Sequence, residues 1–142
     1  MVTEAKSWEE ARSACQESDA DLASITDEGT NAFLSTLTTE SSWIGGYMDS
    51  NNDWKWSDGS TWGYTNWCRG QPDGTAQYLI FNCVWLKDKG VAKWDDGGSA
   101  SSFICQLKTD DHIGKLLIIK FLVRKFPRTK TSSSTCFYFQ FQ

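Results

Sequence analysis

The chain has 142 residues, a net charge of −4 and eight tryptophans, and 39% of its residues are hydrophobic. This length favours a single domain, and so many indole rings can supply a sizeable core. No membrane span is predicted, because the longest apolar stretch, Leu116 to Val123, contains Lys120 and falls short of the roughly eighteen residues required. No signal peptide follows Met1, which indicates a mature domain or one whose signal has been removed.

Charge divides the sequence near His112. Residues 1–111 carry 8 basic and all 18 acidic residues, a net charge of −10, whereas residues 112–142 carry 6 basic and no acidic residues, a net charge of +6. The acidic part argues against binding to a phosphate backbone, which relies on clustered Lys and Arg. We therefore predict one domain over residues 1–108, a basic C-terminal extension over residues 109–142, and no nucleic-acid partner.

Two helices are predicted near the N-terminus. Ser7 and Glu10 have the spacing of a capping box at the start of an amphipathic helix that runs to about Glu17. Thr26 is the predicted N-cap of a second helix, in which apolar residues such as Leu34 recur with helical spacing.

Short apolar runs separated by Gly, Asn, Asp and Ser follow the helices, a pattern typical of strands and loops. The predicted strands are Trp43–Gly46, Cys83–Leu86, Val91–Trp94 and Phe103–Gln106. The region from Tyr47 to Ile80 is predicted to be mostly loop. A loop of this length in a compact domain is usually functional.

Oxygen-bearing side chains are concentrated in two short stretches. Gln71 and Asp73 flank Pro72, where a cis peptide bond would bring adjacent Cα atoms to about 2.9 Å, and Asp95 and Asp96 follow further along the chain. Calcium takes about six to eight oxygen ligands in irregular geometry, so these amide and carboxylate groups predict a hard-cation site. A plain solvated turn around Pro72 is the alternative that these residues alone leave open.

These residues belong to a longer ordered set of tryptophans, cysteines, glycines and polar residues. The set consists of Trp8, Cys15, Trp43, Gly45, Gly46, Trp56, Asp58, Gly59, Trp67, Gln71, Pro72, Asp73, Cys83, Trp94, Asp95, Asp96 and Cys105. In this order and at these intervals, the sequence from about Val2 to Lys108 resembles the C-type lectin-like domain.

The resemblance implies an α+β fold in which two helices flank small antiparallel sheets and a long loop region binds the ligand. The family's opening strand is largely missing from this sequence, which would leave an exposed sheet edge. Segment Lys115 to Val123 or a second molecule would then cover that edge, unless the extension is disordered.

Five cysteines in a small domain indicate an oxidising compartment, and hence a secreted or extracellular protein. The resemblance implies a disulfide between Cys15 and Cys105. The family's second bridge joins the Cys83 position to a cysteine shortly after the Trp94 motif, but no cysteine follows there. We therefore predict that Cys68 takes over as the partner of Cys83, which leaves Cys136 unpaired or bridged elsewhere.

The resemblance also assigns a ligand. Gln71 and Asp73 occupy the two positions that flank the family's motif proline, and Asp95 and Asp96 occupy its paired Asn and Asp positions. The family binds Ca²⁺ there and holds two neighbouring sugar hydroxyls on the cation. The order Gln, Pro, Asp implies galactose-type glycans. The resemblance further suggests glycans of microbial surfaces as ligands, and hence a role in innate immunity.

Tyr78 is the predicted aromatic residue that stacks on the sugar, since the tryptophan often found just after the motif is absent. Core packing is favoured over sugar stacking for the tryptophans of the loop region. The sequence departs from the family at Phe81, where Glu is common and would supply a cation ligand. Gln77, Asn82 or a water would have to replace it, or the extra negative charge of Asp95 would have to compensate. Phe81 therefore favours the alternative of a calcium-independent domain that binds a protein or another surface.

Two further functional classes, ice-binding proteins and enzymes, have less support in the sequence. Some fish antifreeze proteins resemble this domain, but nothing in this sequence singles out ice binding. An enzyme is not predicted, because the only histidine, His112, lies outside the domain and offers no Ser/His or Cys/His pair. Asp95 and Asp96 do not suggest a glycosidase pair either, since adjacent strand residues point to opposite faces.

Overall fold

The computed structural model describes residues 7–37, 40–74, 76–81, 92–97, 100–107, 112–113, 116–125 and 134–141, with side chains up to residue 107 except that of Phe81. Its helices are α1 (Trp8–Gln16) and α2 (Glu28–Leu37). Its strands are β1 (Ala20–Leu22), β2 (Ser42–Met48), β3 (Trp54–Trp56), β4 (Tyr78–Phe81), β5 (Trp94–Asp95), β6 (Ser102–Leu107), β7 (His112–Ile113), β8 (Leu116–Lys125) and β9 (Ser134–Phe141).

Helix α1 begins at the predicted capping box. The Ser7 hydroxyl accepts from the Glu10 amide at 3.2 Å, and the Glu10 carboxylate accepts from the Ser7 amide at 2.8 Å. Together these bonds satisfy two backbone donors that the first helical turn would otherwise leave open. Trp8 and Cys15 lie on the buried face, so the prediction for this helix is confirmed.

Helix α2 is capped by Asp27, and the predicted N-cap at Thr26 was wrong by one residue. The two carboxylate oxygens of Asp27 accept from the Thr30 amide at 2.7 Å and from the Thr30 hydroxyl at 3.0 Å. A carboxylate also interacts favourably with the positive end of the helix, which explains why Asp27 is used in place of its neighbour. Neither described helix is long and apolar enough to cross a bilayer.

The described strands join one mixed sheet. Strand β2 is central, because it pairs antiparallel with β3 and β4 and parallel with β6. The expected small antiparallel sheets are therefore connected through the parallel pairing of Ser42 with Ser102 and of Trp43 with Phe103.

The region from Tyr47 to Ile80 is mostly loop in its described residues, as predicted, and it is interrupted by β3 and by the start of β4. The predicted strands at Trp43–Gly46 and Phe103–Gln106 are confirmed, each with slightly wider bounds. Of the strand predicted at Val91–Trp94, only Trp94 is in β5, and Val91 lies outside the described residues. The strand predicted at Cys83–Leu86 also lies outside them.

The C-terminal extension adds backbone to the sheet. Strand β8 pairs antiparallel with the whole of β6, from Ser102 opposite Lys125 to Leu107 opposite Lys120, and β9 pairs with β8. Within the segment 115–123, residues Lys120 to Val123 therefore cover the sheet edge formed by β6.

The core has two parts, on opposite faces of the sheet. The first lies beneath α1 and includes Trp8, Cys15 and Phe103, and the second lies beneath α2 and includes Leu34 and Trp94. Strand β4 contributes to both, because successive strand residues point to opposite faces: Ile80 belongs to the first part and Leu79 to the second.

Strand β2 approaches its neighbours closely at Gly45 and Gly46. A Cβ atom at Gly46 would lie 2.1 Å from Leu79 Cδ1, and one at Gly45 would lie 2.9 Å from the Leu22 carbonyl. Both positions therefore require glycine for close packing of β2 against its neighbours.

Candidate functional site

Trp94 connects helix α2 to the loop that carries the predicted ligands. Its side chain is fully buried, and its indole N–H donates to Asn31 Oδ1 at 2.8 Å. Its backbone N–H donates to the Asn66 carbonyl at 2.9 Å, and its carbonyl accepts from the Cys68 amide at 2.7 Å. These bonds hold the segment that precedes Asp95 against the loop.

An aromatic cluster surrounds Trp94. The rings of Trp56, Trp62 and Trp67 lie 5.5, 6.0 and 5.9 Å from it, and Trp54 lies 5.3 Å from Trp67. These separations are typical of favourable aromatic pairs. The tryptophans of the loop region therefore pack on the core, as the sequence predicts, and they give β5 a rigid support.

Asp96 brings the two predicted stretches together. Its side chain is fully buried, Oδ1 accepts from the Asp73 amide at 3.0 Å, and Oδ2 accepts from the Gly74 amide at 2.8 Å. A buried carboxylate is costly unless its charge is compensated, and two amide donors provide part of that compensation. Asp96 thus fixes the position of the turn after Pro72.

Gln71 and Asp73 lie side by side at the surface of this turn. The peptide bond between Gln71 and Pro72 is cis. Gln71 Oε1 accepts from the Asp73 amide at 3.1 Å, and Gln71 Nε2 donates to Asp73 Oδ2 at 3.5 Å. An amide and a carboxylate are therefore presented together toward solvent.

Asp95 completes a group of three carboxylates. Burial, and then the negative charges of Asp96 and Asp73, raise the pKa of Asp95 above its ordinary value. The charges of Asp96 and Asp73 therefore oppose the ionisation of Asp95, an effect that a cation would relieve. Three carboxylates and the Gln71 carboxamide form a donor set of the kind that calcium prefers.

The geometry of a complete metal site is not present in the described part of the chain. There, no three His, Cys, Asp or Glu side chains form a cluster that could hold a metal ion. Both carboxylate oxygens of Asp96 face backbone amides, although each oxygen keeps a further lone pair for another partner. The donor chemistry fits calcium, and the convergence of the donors is incomplete.

Tyr78 lies with helix α1 and not with these four residues. Its ring stacks on Trp8 with centroids 4.7 Å apart, and its hydroxyl donates to a carboxylate oxygen of Glu9. One ring face and the hydroxyl are therefore committed to packing. The role in sugar stacking that the sequence suggests for Tyr78 stays a prediction, and it would have to use the other ring face.

Replacing Tyr78 by phenylalanine is expected to change the protein's response to pH. The hydrogen bond from Tyr78 is the main cause that lowers the pKa of Glu9. A lowered carboxyl pKa contributes stability above the unfolded-state value and loses it as the pH falls through the folded-state value. Y78F should therefore melt at a lower temperature than the parent at neutral pH, and the difference should vanish below the range where carboxylates titrate. If the melting temperatures of Y78F and the parent differed equally at neutral pH and at that low pH, this prediction would be contradicted.

The cysteine predictions are partly tested. The disulfide between Cys15 and Cys105 is present and is thereby confirmed. Cys68 is also disulfide-bonded, but its predicted partner Cys83 lies outside the described residues. Strand β4 includes the backbone of Phe81, whose side chain is outside them too, so its effect on the site stays a prediction.

No role was predicted for Asn31, and no contact was predicted for Asn66. Asn31 binds the Trp94 indole, and both side-chain amides donate to the Ala92 carbonyl at 2.9 Å. The available signal was the polar residue Asn31 on the buried face of a helix, three positions before Leu34. A buried amide needs partners, so such a residue indicates a specific contact.

Comparison with known proteins gives the family. Residues 4–107 match the family described as the lectin C-type domain. C-type mannose receptor 2 of Homo sapiens is 33% identical over 108 residues, which cover 72% of this chain and 7% of that protein. The chain therefore spans only a small part of this curated relative.

Two solved structures are also similar. The C-type lectin domain of murine dendritic cell inhibitory receptor 2, solved in complex with N-glycan, has a TM-score of 0.62 and 25% identity over 74% of this chain and 84% of that chain. A Ca²⁺-dependent type II antifreeze protein in its Ca²⁺-free form has a TM-score of 0.54 and 32% identity over 66% of this chain and 79% of that chain. The lectin C-type domain is a binding fold and not an enzymatic one, in agreement with the sequence prediction. The chain belongs to the C-type lectin domain family.

Proposed function

We propose that this domain binds galactose-type carbohydrate through a calcium ion held by Gln71, Asp73, Asp95 and Asp96. The observation that carries the proposal is the bonding of the buried Asp96 carboxylate to the amides of Asp73 and Gly74. This contact joins the two stretches whose oxygen donors the cation requires.

The four side chains have different proposed roles, depending on how close each lies to the surface. Asp96 is fully buried and Asp95 is half-buried, so they hold negative charge beneath the turn. Asp73 is exposed and Gln71 is half-buried beside it, and in this proposal both exchange hydrogen bonds with sugar hydroxyls. Calcium, when bound, supplies coordination positions for two neighbouring hydroxyls. The order of amide before carboxylate around Pro72 is the basis for galactose-type preference, by resemblance to the family.

We also propose that the protein is secreted or extracellular and meets glycans on other cells, including microbial ones. The disulfide between Cys15 and Cys105, together with the disulfide-bonded state of Cys68, supports an oxidising compartment. The murine relative solved with an N-glycan supports the class of partner.

A second candidate is calcium-independent binding to a protein or another surface. It is favoured by the absence, in the described ranges, of three acidic, His or Cys side chains that already cluster around a cation position. In this candidate, the two hydrogen bonds of Asp96 serve only to shape the turn.

A glycan array run with and without a calcium chelator separates the two candidates. Galactose-terminated glycans that bind only when calcium is present support the first candidate. Binding that survives the chelator supports the second and overturns the first. A D53N variant is the control for the loss of an aspartate and should bind glycans as the parent does. Asp53 is exposed in the β2–β3 turn and is not among the proposed ligands.

Calcium is expected to stabilise the fold more strongly near neutral pH than in mild acid. Because the pKa of Asp95 is raised, its ionisation destabilises the cation-free fold as the pH rises through that value, and a cation would offset this penalty. Below that pH, protons compete with calcium for the same oxygens. The measurement is the calcium-induced shift in melting temperature at about pH 7.5 and at about pH 4.5, the second of which is close to the ordinary carboxylate pKa values. Equal shifts at the two pH values would speak against carboxylate ligands.

A further inference from the structure

Asn31 is a polar side chain in the middle of a helix, yet it has no exposed surface. Its Oδ1 accepts from the Trp94 indole at 2.8 Å, and its Nδ2 donates to the Ala92 carbonyl at 2.9 Å. Both bonds therefore reach the same short segment of another element. That segment ends at Asp95 and Asp96.

Packing does not require an amide at this position. In a fully buried site next to Leu34, an apolar side chain would leave no polar atoms to satisfy. A buried polar group that is fully paired instead fixes one arrangement of its partners. An apolar residue would be enough to fill this buried position. Asn31 thus contributes directional bonds that such a residue could not make.

Helix α2 makes a further contact with the same segment through Ser35. Its hydroxyl accepts from the Ala92 amide at 2.8 Å and donates to the Asn31 carbonyl at 2.7 Å. The backbone N–H and C=O of Ala92 are therefore both held by α2. The segment cannot shift along the helix without breaking at least two of these bonds.

We propose that Asn31 is a positioning residue for the ligand site. It fixes Trp94, whose backbone bonds hold the loop at Asn66 and Cys68, and it thereby sets where Asp96 meets the Asp73 amide. The proposal rests on the proposed function only for its effect on calcium affinity. Its effect on the order of the turn is independent of any ligand.

The test compares three variants of the full chain. N31L removes both bonds while keeping the number of side-chain heavy atoms and the branch at Cγ, and S35A removes one of the bonds to Ala92. L34A is the matched control, since Leu34 lies in the same helix, is fully buried, and leaves the bonds to Ala92 and Trp94 in place.

Hydrogen exchange of the Asp73 and Gly74 amides is the readout that a merely structural role would not move. We expect N31L to speed exchange at both amides by about tenfold and to weaken calcium binding by about tenfold, as is typical for residues that orient metal ligands. S35A should act in the same direction and more weakly. L34A should lower the melting temperature at least as much, and well below that temperature it should leave both amides and calcium affinity unchanged.

Two outcomes overturn the proposal: unchanged exchange at Asp73 and Gly74 in both N31L and S35A, or the same change in L34A. If N31L does not fold, S35A decides the question. If the parent protein binds no calcium, the proposed function fails. The exchange measurements then still decide whether Asn31 positions the turn.

Discussion

Replacing Asp96 by alanine is expected to abolish calcium-dependent sugar binding and to lower the free energy of unfolding by about 2–4 kcal/mol. The carboxylate is fully buried and accepts from the amides of Asp73 and Gly74 at 3.0 and 2.8 Å. Gln71 Oε1 still accepts from the Asp73 amide, so Gly74 carries most of the loss. Urea unfolding measures the stability, and calorimetric calcium titration measures the site.

Two comparison variants separate charge from shape at this position. D96N keeps the volume and one carbonyl acceptor but loses the charge, and its Nδ2 then faces a backbone donor. It should retain part of the stability and none of the calcium binding. D53N removes a carboxylate from an exposed turn and should behave like the parent. Calcium affinity in D96A equal to that of the parent would exclude Asp96 as a ligand.

The elements with local signals were predictable. The capping box at Ser7 and Glu10 determines the start of α1 through contacts three residues apart, so the sequence contains the whole signal. The choice of Asp27 over Thr26 depends on which side chain reaches the Thr30 amide and hydroxyl. Both residue types cap helices well, so the sequence alone could not separate these neighbours.

The short strands within the predicted loop were not predictable in the same way. Strand β3 has three residues, and its register depends on β2, with Trp56 opposite Gly46 and Trp54 opposite Met48. A segment of this length has no reliable periodicity of its own, and non-local pairing decides its conformation.

The same difficulty explains the position of Tyr78. The absence of a tryptophan just after the proline motif suggested Tyr78 as the aromatic residue of the ligand site, which stays a prediction, but strand residues alternate between faces. Leu79 points to the core part that contains Trp94, so Tyr78 and Ile80 point to the part beneath α1. Recognition of β4 as a strand would have placed Tyr78 beside Trp8.

The ligand motif itself was predictable as chemistry and only partly as geometry. Oxygen donors before Gly74 and after Trp94 indicated a shared site, and the bonds of Asp96 to the turn bring the two stretches together. The dependence of that contact on Asn31 could not be predicted, because it arises from packing α2 against the Trp94 segment.

Removing the disulfide between Cys15 and Cys105 is expected to destabilise the fold by about 2–5 kcal/mol. The bond joins α1 to β6 across a sequence separation of 90 residues, so it removes much of the conformational freedom of the unfolded chain. The double variant C15A/C105A is the appropriate change, because a single substitution would leave a free buried thiol. Its unfolding midpoint in urea, compared with that of the parent, gives the loss.

The same variant should keep the ligand site at temperatures where it remains folded. Both cysteines lie in the core part beneath α1, whereas Trp94 lies in the part beneath α2. We therefore expect C15A/C105A to have lower stability and unchanged calcium affinity. D96N should show the opposite pattern, because it should lose its calcium binding and keep part of its stability. If C15A/C105A lost calcium binding while still folded, the two parts of the core would have to be coupled across β2 and β4. In that case, the contacts of Asn31, Trp94 and Asp96 would not be enough to hold the ligand site in place.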